Sequence, residues 1–462
     1  MSLATALAND PYPYYGWLRD NEPVHYEPDL DLWLVTRYDD VAAVVHDPTT
    51  FSSERGMGRF FREGLRRGGS EGATLADALV GIRVLIATDP PDHTRLRRIV
   101  NRAFTPKAIT ALEPHIRGLA AHYVDELLDA SERGEADLVT HLAIPLPVIV
   151  IAELLGIPPE RRHDFRRWSN DMVGGLGGQG DLLAAQTSAF ELYQYFDEVV
   201  TERRDHPRED LVSRIVEREG TEGLSTLDVV SFCVLLLLAG NETTTNLLGN
   251  LTAALFEHPD IAEQLWANPA LVPAAVEEAL RYDAPVQGLF RATTDDATIG
   301  GHRLATGQTL MALFASANRD PAHFTDPDRF DLARDGADHL AFGHGIHYCL
   351  GASLARLEAS AAYDALINRT SRLAPAGPAQ RVDSLALRGF TTLPVTATPE
   401  VNRFGGHGLV TDVPQQAVIR HHWPNGRNDE RPAQRHWTSS AITWRSASEG
   451  SSSPPPRATG LK

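Results

Sequence analysis

Phe342-Gly343-His344-Gly345-Ile346-His347-Tyr348-Cys349-Leu350-Gly351-Ala352 is the most informative stretch of this 462-residue chain. It holds one of only two cysteines, set among three glycines. Cys349 stands just ahead of a helical pattern, Leu350 to Ile367, whose positive N-terminal end favours a thiolate. Gly343 and Gly345 allow a tight loop whose backbone N–H groups can point at the sulfur. Gly351 removes a side chain close to it. A lone cysteine is ordinarily a small buried hydrophobe, and Cys233, inside the apolar run Val229 to Ala239, reads that way. The glycine loop sets Cys349 apart.

Upstream, Ser225-Thr226-Leu227-Asp228 forms a capping box that opens a helical pattern reaching about His258. At ~1.5 Å per residue such a helix crosses a whole domain. It contains Ala239-Gly240-Asn241-Glu242-Thr243-Thr244. A glycine inside a helix costs up to ~1 kcal/mol relative to alanine, so a compensating reason is expected. A threonine hydroxyl bonding back to the helix disturbs its hydrogen-bond ladder and can open a groove. Glu242 beside Thr243 supplies an acid–alcohol pair fit for proton delivery.

Composition narrows the class. The net charge of −18 argues against a nucleic-acid binder, which needs a concentrated positive face, and still allows a local basic patch for an acidic protein partner. Two distant cysteines suggest neither a disulfide framework nor a zinc site, and a reducing cytoplasm fits them. The polar N-terminus shows no signal peptide or membrane anchor, and the run Val229 to Ala239 is too short to span a bilayer. The literal G-x-G-x-x-G at Gly175 lacks the preceding buried strand of a dinucleotide site, so a flexible loop between helices is the reading. Leu32 to Arg37 reads as a strand, Tyr38 to His46 as a short helix, and Ser52 to Gly72 as a mobile loop. Helical patterns run over Pro91 to Phe104, Pro106 to Ala130 and Ile144 to Leu155. Strand signals between Thr293 and Leu313 give a small β-subdomain. After Val395 the composition shifts: residues 401–462 carry 8 Lys+Arg against 4 Asp+Glu, with Trp423, Trp437, Trp444 and a Ser/Pro run. Residues 396–462 therefore read as a disordered tail, a non-native or out-of-frame extension by hypothesis.

The cysteine loop resembles the heme-binding signature of the cytochrome P-450 family, F-G-x-G-x-H-x-C-x-G, at each fixed position. Ala239 to Thr244 resembles that family's oxygen-activation motif, A-G-x-[DE]-T-T, with Glu242 where Asp is frequent. The likeness covers about residues 10 to 395. It implies a mainly α fold with a small β-subdomain and a long central helix over heme b. It makes Cys349 the axial iron ligand, a thiolate that favours O–O cleavage, as this family does in general. Ala239 and Gly240 would let the helix pass close to one heme face. Phe342, Gly343, Gly345, His347 and Gly351 would hold the cofactor around the sulfur, with Gly351 leaving room for the macrocycle. His93, Arg97, Arg291 and His347 would meet its propionates. Glu278 and Arg281, the family's E-x-x-R, would join Arg329 of Pro327-Asp328-Arg329-Phe330 in a fold-stabilising network. Arg98, Arg102 and Arg356 would add to a positive surface for an acidic ferredoxin.

The implied activity is a cytoplasmic monooxygenase acting with O2 on a lipophilic small molecule, as in secondary metabolism. Electrons would come from a separate ferredoxin or flavodoxin with its NAD(P)H reductase. A peroxygenase reading is opposed by Glu242-Thr243, which those relatives lack, and the same pair opposes a non-catalytic heme sensor. The pocket is expected from Gly56–Leu85, Trp168–Phe190, Phe232–Ala239 and Val286–Phe290.

Overall fold

The structure, a computed structural model, describes residues 10–66, 84–101, 104–176, 182–217, 224–334 and 338–400. The tail from 401, the Gly177–Gly180 stretch, residues 67–72 and Arg102 lie outside the described residues.

The long helix is the axis of the fold. It runs Thr226–Glu257, about 48 Å at ~1.5 Å per residue. Its start is the expected box: the Ser225 side chain accepts from Asp228 N, and the Asp228 carboxylate accepts from Ser225 N. Two orphan N–H groups are thereby satisfied reciprocally. Cys233, Leu237, Leu247 and Leu251 on this helix are fully or almost fully buried. Among the described helices it alone is long and apolar enough to cross a bilayer. Here its apolar surface is met by protein instead, chiefly the helices Pro145–Leu154, Leu182–Asp205 and Val272–Tyr282. Cys233 is core packing, as its aliphatic neighbours imply.

The β-subdomain is a five-stranded sheet in the order Val24–Glu27, Leu32–Val35, Thr309–Ala312, Leu289–Thr293, Phe51–Ser52. Leu32–Val35 and Thr309–Ala312 pair in parallel across most of the chain, and the other pairings are antiparallel. The sheet brings Arg291 beside the N-terminal third of the sequence.

Two sequence readings are corrected. Residues 53–66 of the expected mobile loop form a helix, Ser53–Arg66. Its cap comes from far away: the Asp89 carboxylate accepts from Ser53 N (2.9 Å) and Glu54 N (3.4 Å). Gly56 lies so close to the strand that a Cβ would stand 2.4 Å from Arg291 Cα. Neither contact is visible in a local window. The boundary after Val395 also moves. Val395–Pro399 is a strand paired antiparallel with Thr370–Pro375, and it buries Val395 and Ala397 on its inner face.

Candidate active site

Gly343 and Gly345 both hold φ of 66°, a region that favours glycine. At Gly345 a Cβ would also stand 2.8 Å from the carbonyl oxygen of Val45. Cys349 N donates to Phe342 O at 2.9 Å, which closes the loop. The helix Ala352–Arg369 begins directly after it, with Gly351 as its N-cap residue. Burial pushes the Cys349 thiol up, while the Gly351 N–H and the charges of Arg97 and Arg356 pull it the other way. Those opposing groups are the means by which the protein would hold a thiolate.

Beside this loop sits a buried basic cluster from three elements. His93 comes from the helix Asp92–Asn101, Arg291 from the strand Leu289–Thr293 and His347 from the loop itself. The two imidazole rings lie 4.3 Å apart, and the Nε2 atom of each is buried without a partner. Arg291 is 3% exposed and donates Nη1 to Phe290 O at 2.8 Å. Asp89, the carboxylate near these groups, is already occupied by Ser52 Oγ and the N–H groups of Ser53 and Glu54. Burial and neighbouring positive charge push His93 down to about 4 and His347 to about 2; burial lowers Arg291 to about 10. Buried groups of this kind lack a negative counterpart. The two propionates of heme b match that need, next to a thiol that can meet the iron. The residues fit the cofactor. Arg97, four residues after His93, donates to Tyr348 O (2.6 Å) and Asn101 Oδ1 (3.0 Å), so it also ties down the cysteine loop.

On the long helix, Thr243 Oγ1 donates to Ala239 O at 2.8 Å, the back-bond expected of it. Ala239 is exposed although it lies in the middle of the core helix. At Gly240 a Cβ would stand 2.9 Å from Ile151 Cδ1, so its missing side chain permits a close helix crossing with Pro145–Leu154. Burial raises Glu242 to about 7.

Glu358 is a site group that sequence reasoning missed. It is 1% exposed in the helix Ala352–Arg369, with its Oε1 unpartnered. Burial lifts it to about 8, opposed by a hydrogen bond from Thr244 of the oxygen-activation motif. An acid within an alanine-rich helix was the available signal.

The structural network differs in one member. Arg281 donates Nε and Nη2 to Glu278 Oε2 and Oε1, each at 2.8 Å, as the E-x-x-R spacing implies. Arg329 does not join them: its side chain is 67% exposed, 4.0 Å from Asp331, and only its carbonyl accepts from Arg281. Arg334 takes the third place, with Nε 3.2 Å from Glu278 Oε1. Arg356, expected on a positive surface, is ion-paired. It donates Nε (2.5 Å) and Nη2 (2.9 Å) to Glu277 and lies 4.5 Å over the Phe342 ring.

The Cytochrome P-450 family model matches residues 186–394. The cyclomarin C epoxidase CymV of Salinispora arenicola is 41% identical over 388 residues, 82% of this chain and 94% of that protein. The cytochrome P-450 monooxygenase PikC of Streptomyces venezuelae is 39% identical over 403 residues, 85% and 92% of the two chains. The structure of cytochrome P-450 CYP109Q5 from Chondromyces apiculatus superposes with a TM-score of 0.77 at 40% identity, covering 87% of this chain and 99% of that one. Likeness at this level along most of both chains, with a site that fits heme at its cysteine loop, makes this protein a member of the bacterial cytochrome P-450 family, the heme b monooxygenases.

Proposed function

We propose that the protein hydroxylates or epoxidises a lipophilic small molecule, a natural-product scaffold by class. In this reading it works in the cytoplasm, with electrons from a separate ferredoxin or flavodoxin and its NAD(P)H reductase. Heme bound through Cys349 supplies the activation of dioxygen. The protein's own residues do the rest. Gly351 N–H, Arg97 and Arg356 stabilise the Cys349 thiolate. Arg291 supplies positive charge for the propionates, and His93 and His347 would donate their unpartnered Nε2 N–H groups to them. Phe342, Gly343 and Gly345 shape the loop that presents the sulfur.

Glu242 next to Thr243 is the observation that carries the reading. A carboxyl raised to about 7 is partly protonated at neutral pH, so it can both take a proton and give one. Thr243 can pass that proton inward by exchanging its bond to the Ala239 carbonyl. A sensor has no use for such a pair, and a peroxygenase draws no electrons that need protons to match. Support for the substrate class comes from the relatives named epoxidase and monooxygenase.

Two measurements test the proposal on the heme-loaded protein. The reduced carbon-monoxide complex is expected to show the red-shifted Soret band of thiolate ligation. NADPH consumption with ferredoxin and reductase is expected to accompany insertion of one oxygen atom into a ligand found by heme spectral shift. A normal Soret position, or product formed with peroxide alone and not with NADPH, would overturn it.

A further inference from the structure

We infer that Asn241 is a positioning residue: its hydrogen bond to Ser169 fixes the Glu242–Thr243 turn to the helix Arg162–Leu176 and couples the two. The inference rests on the proton-delivery role proposed for Glu242 and Thr243.

Asn241 and Ser169 are 4% and 0% exposed, and Asn241 Nδ2 donates to Ser169 Oγ at 2.5 Å. A short bond between two groups shielded from water cannot be replaced by solvent when it breaks. Successive helical residues point about 100° apart, so Asn241 faces Ser169 while Thr243 faces well away from it. The turn is thus held from behind. Gly240 packs against Ile151, and Thr245 Oγ1 donates to Ala143 O at 2.9 Å. On its front the helix stays continuous, and the Ala239 carbonyl also accepts from the Thr243 hydroxyl, a back-bond of the kind that slightly loosens a helical turn. Two side-chain anchors flank the acid–alcohol pair directly, Asn241 before it and Thr244, bonded to Glu358, after it; Asn241 is the one that ties the turn to the helix Arg162–Leu176.

The other end of the link belongs to a larger unit. Trp168, the neighbour of Ser169, donates Nε1 to Glu191 of the helix Leu182–Asp205 at 2.8 Å. Ser188 of that helix donates to Asp171 at 2.5 Å. The two helices are therefore tied to each other by side-chain bonds. Any displacement of that pair, as by a ligand seated beneath it, reaches the Glu242–Thr243 turn through Ser169 and Asn241.

The test uses the full-length heme-loaded enzyme and two variants, Ser169→Ala and Asn241→Leu. Ser169→Ala removes a single oxygen atom from a packed site, so it keeps the test informative if Asn241→Leu fails to fold. Hydrogen–deuterium exchange of the amides at 239–245 is expected to rise at least tenfold, with residues 247–255 unchanged. Product formed per NADPH is expected to fall at least twofold, with an unaltered carbon-monoxide spectrum, and the double variant is expected to be no worse than either single one. Unchanged exchange at 239–245 in Ser169→Ala would overturn the inference, and so would a uniform rise along the whole helix, the mark of lost packing alone. Local exchange gains with coupling intact would overturn it too. If the parent protein forms no product with NADPH, the functional reading falls, while the exchange data still report whether the two elements are linked.

Discussion

Glu242 and Glu358 are both carboxyls that burial has pushed toward neutrality, to about 7 and about 8, from two helices that meet at Thr244. Their consequences for stability and for turnover differ. Glu358 keeps its proton in the folded protein up to about pH 8, whereas an unfolded chain loses it near 4.5. Between those values folding binds a proton, so stability falls as pH rises through the window and levels off above it. Glu358→Gln is expected to raise the urea midpoint at pH 9 and to leave it unchanged at pH 4.5, a gain of roughly 1–4 kcal/mol. Glu242→Gln keeps the shape and removes the titratable acid proton. Turnover is expected to drop by ~10²-fold, the scale of a general acid, with the carbon-monoxide spectrum retained. Thr243→Ala is expected to uncouple: NADPH consumption continues, hydrogen peroxide accumulates and product falls. Unchanged coupling would remove Thr243 from the mechanism. The Glu242-Thr243 pair was legible from residue types and spacing. Glu358 was not, because its proximity to Thr244 exists only once two helices far apart in sequence are packed.

At the scale of elements, the Glu278–Arg281 pair shows what helical spacing can and cannot say. The i, i+3 relation puts the two side chains together without reference to the rest of the chain. The third member comes from an irregular segment, where spacing carries no such rule. Arg334 reaches Glu278 and also donates to the carbonyls of Thr325, Asp326 and Arg329, while Arg329 turns outward. Arg329→Ala is therefore expected to change unfolding stability by no more than about 0.5 kcal/mol. Arg334→Ala is expected to cost ~2–4 kcal/mol, because it leaves the buried Glu278 short of a partner. Equal effects of the two substitutions would reject this assignment. The helix Ser53–Arg66 makes the same point about capping. Its sequence reads as loop, yet a carboxylate at Asp89 supplies the cap and the bare backbone of Gly56 lets it dock on the strand Leu289–Thr293.

At the scale of the whole molecule, the described chain closes with the strand Val395–Pro399 against Thr370–Pro375. Truncation after Glu400 is expected to leave heme incorporation unchanged. Truncation after Val395 removes the pairing partners of Arg372, Leu373 and Ala374 and is expected to lower both heme content and melting temperature. Loss of heme in the longer truncation product would show that residues 401–462 take part in the fold. The amino-acid sequence alone was enough for the cysteine loop, the capping box, the long helix and the acid–alcohol pair. Each rests on backbone preferences or helical periodicity that act within a few residues. The unpaired burial of the His93 and His347 Nε2 atoms, the exchange of Arg329 for Arg334, the pairing of Arg356 with Glu277, the helix crossing at Gly240 and the Asn241–Ser169 bond emerged only with the packed chain. Their partners lie tens to hundreds of residues apart, and whether a polar group is paired or left wanting is a property of burial, which no local pattern records.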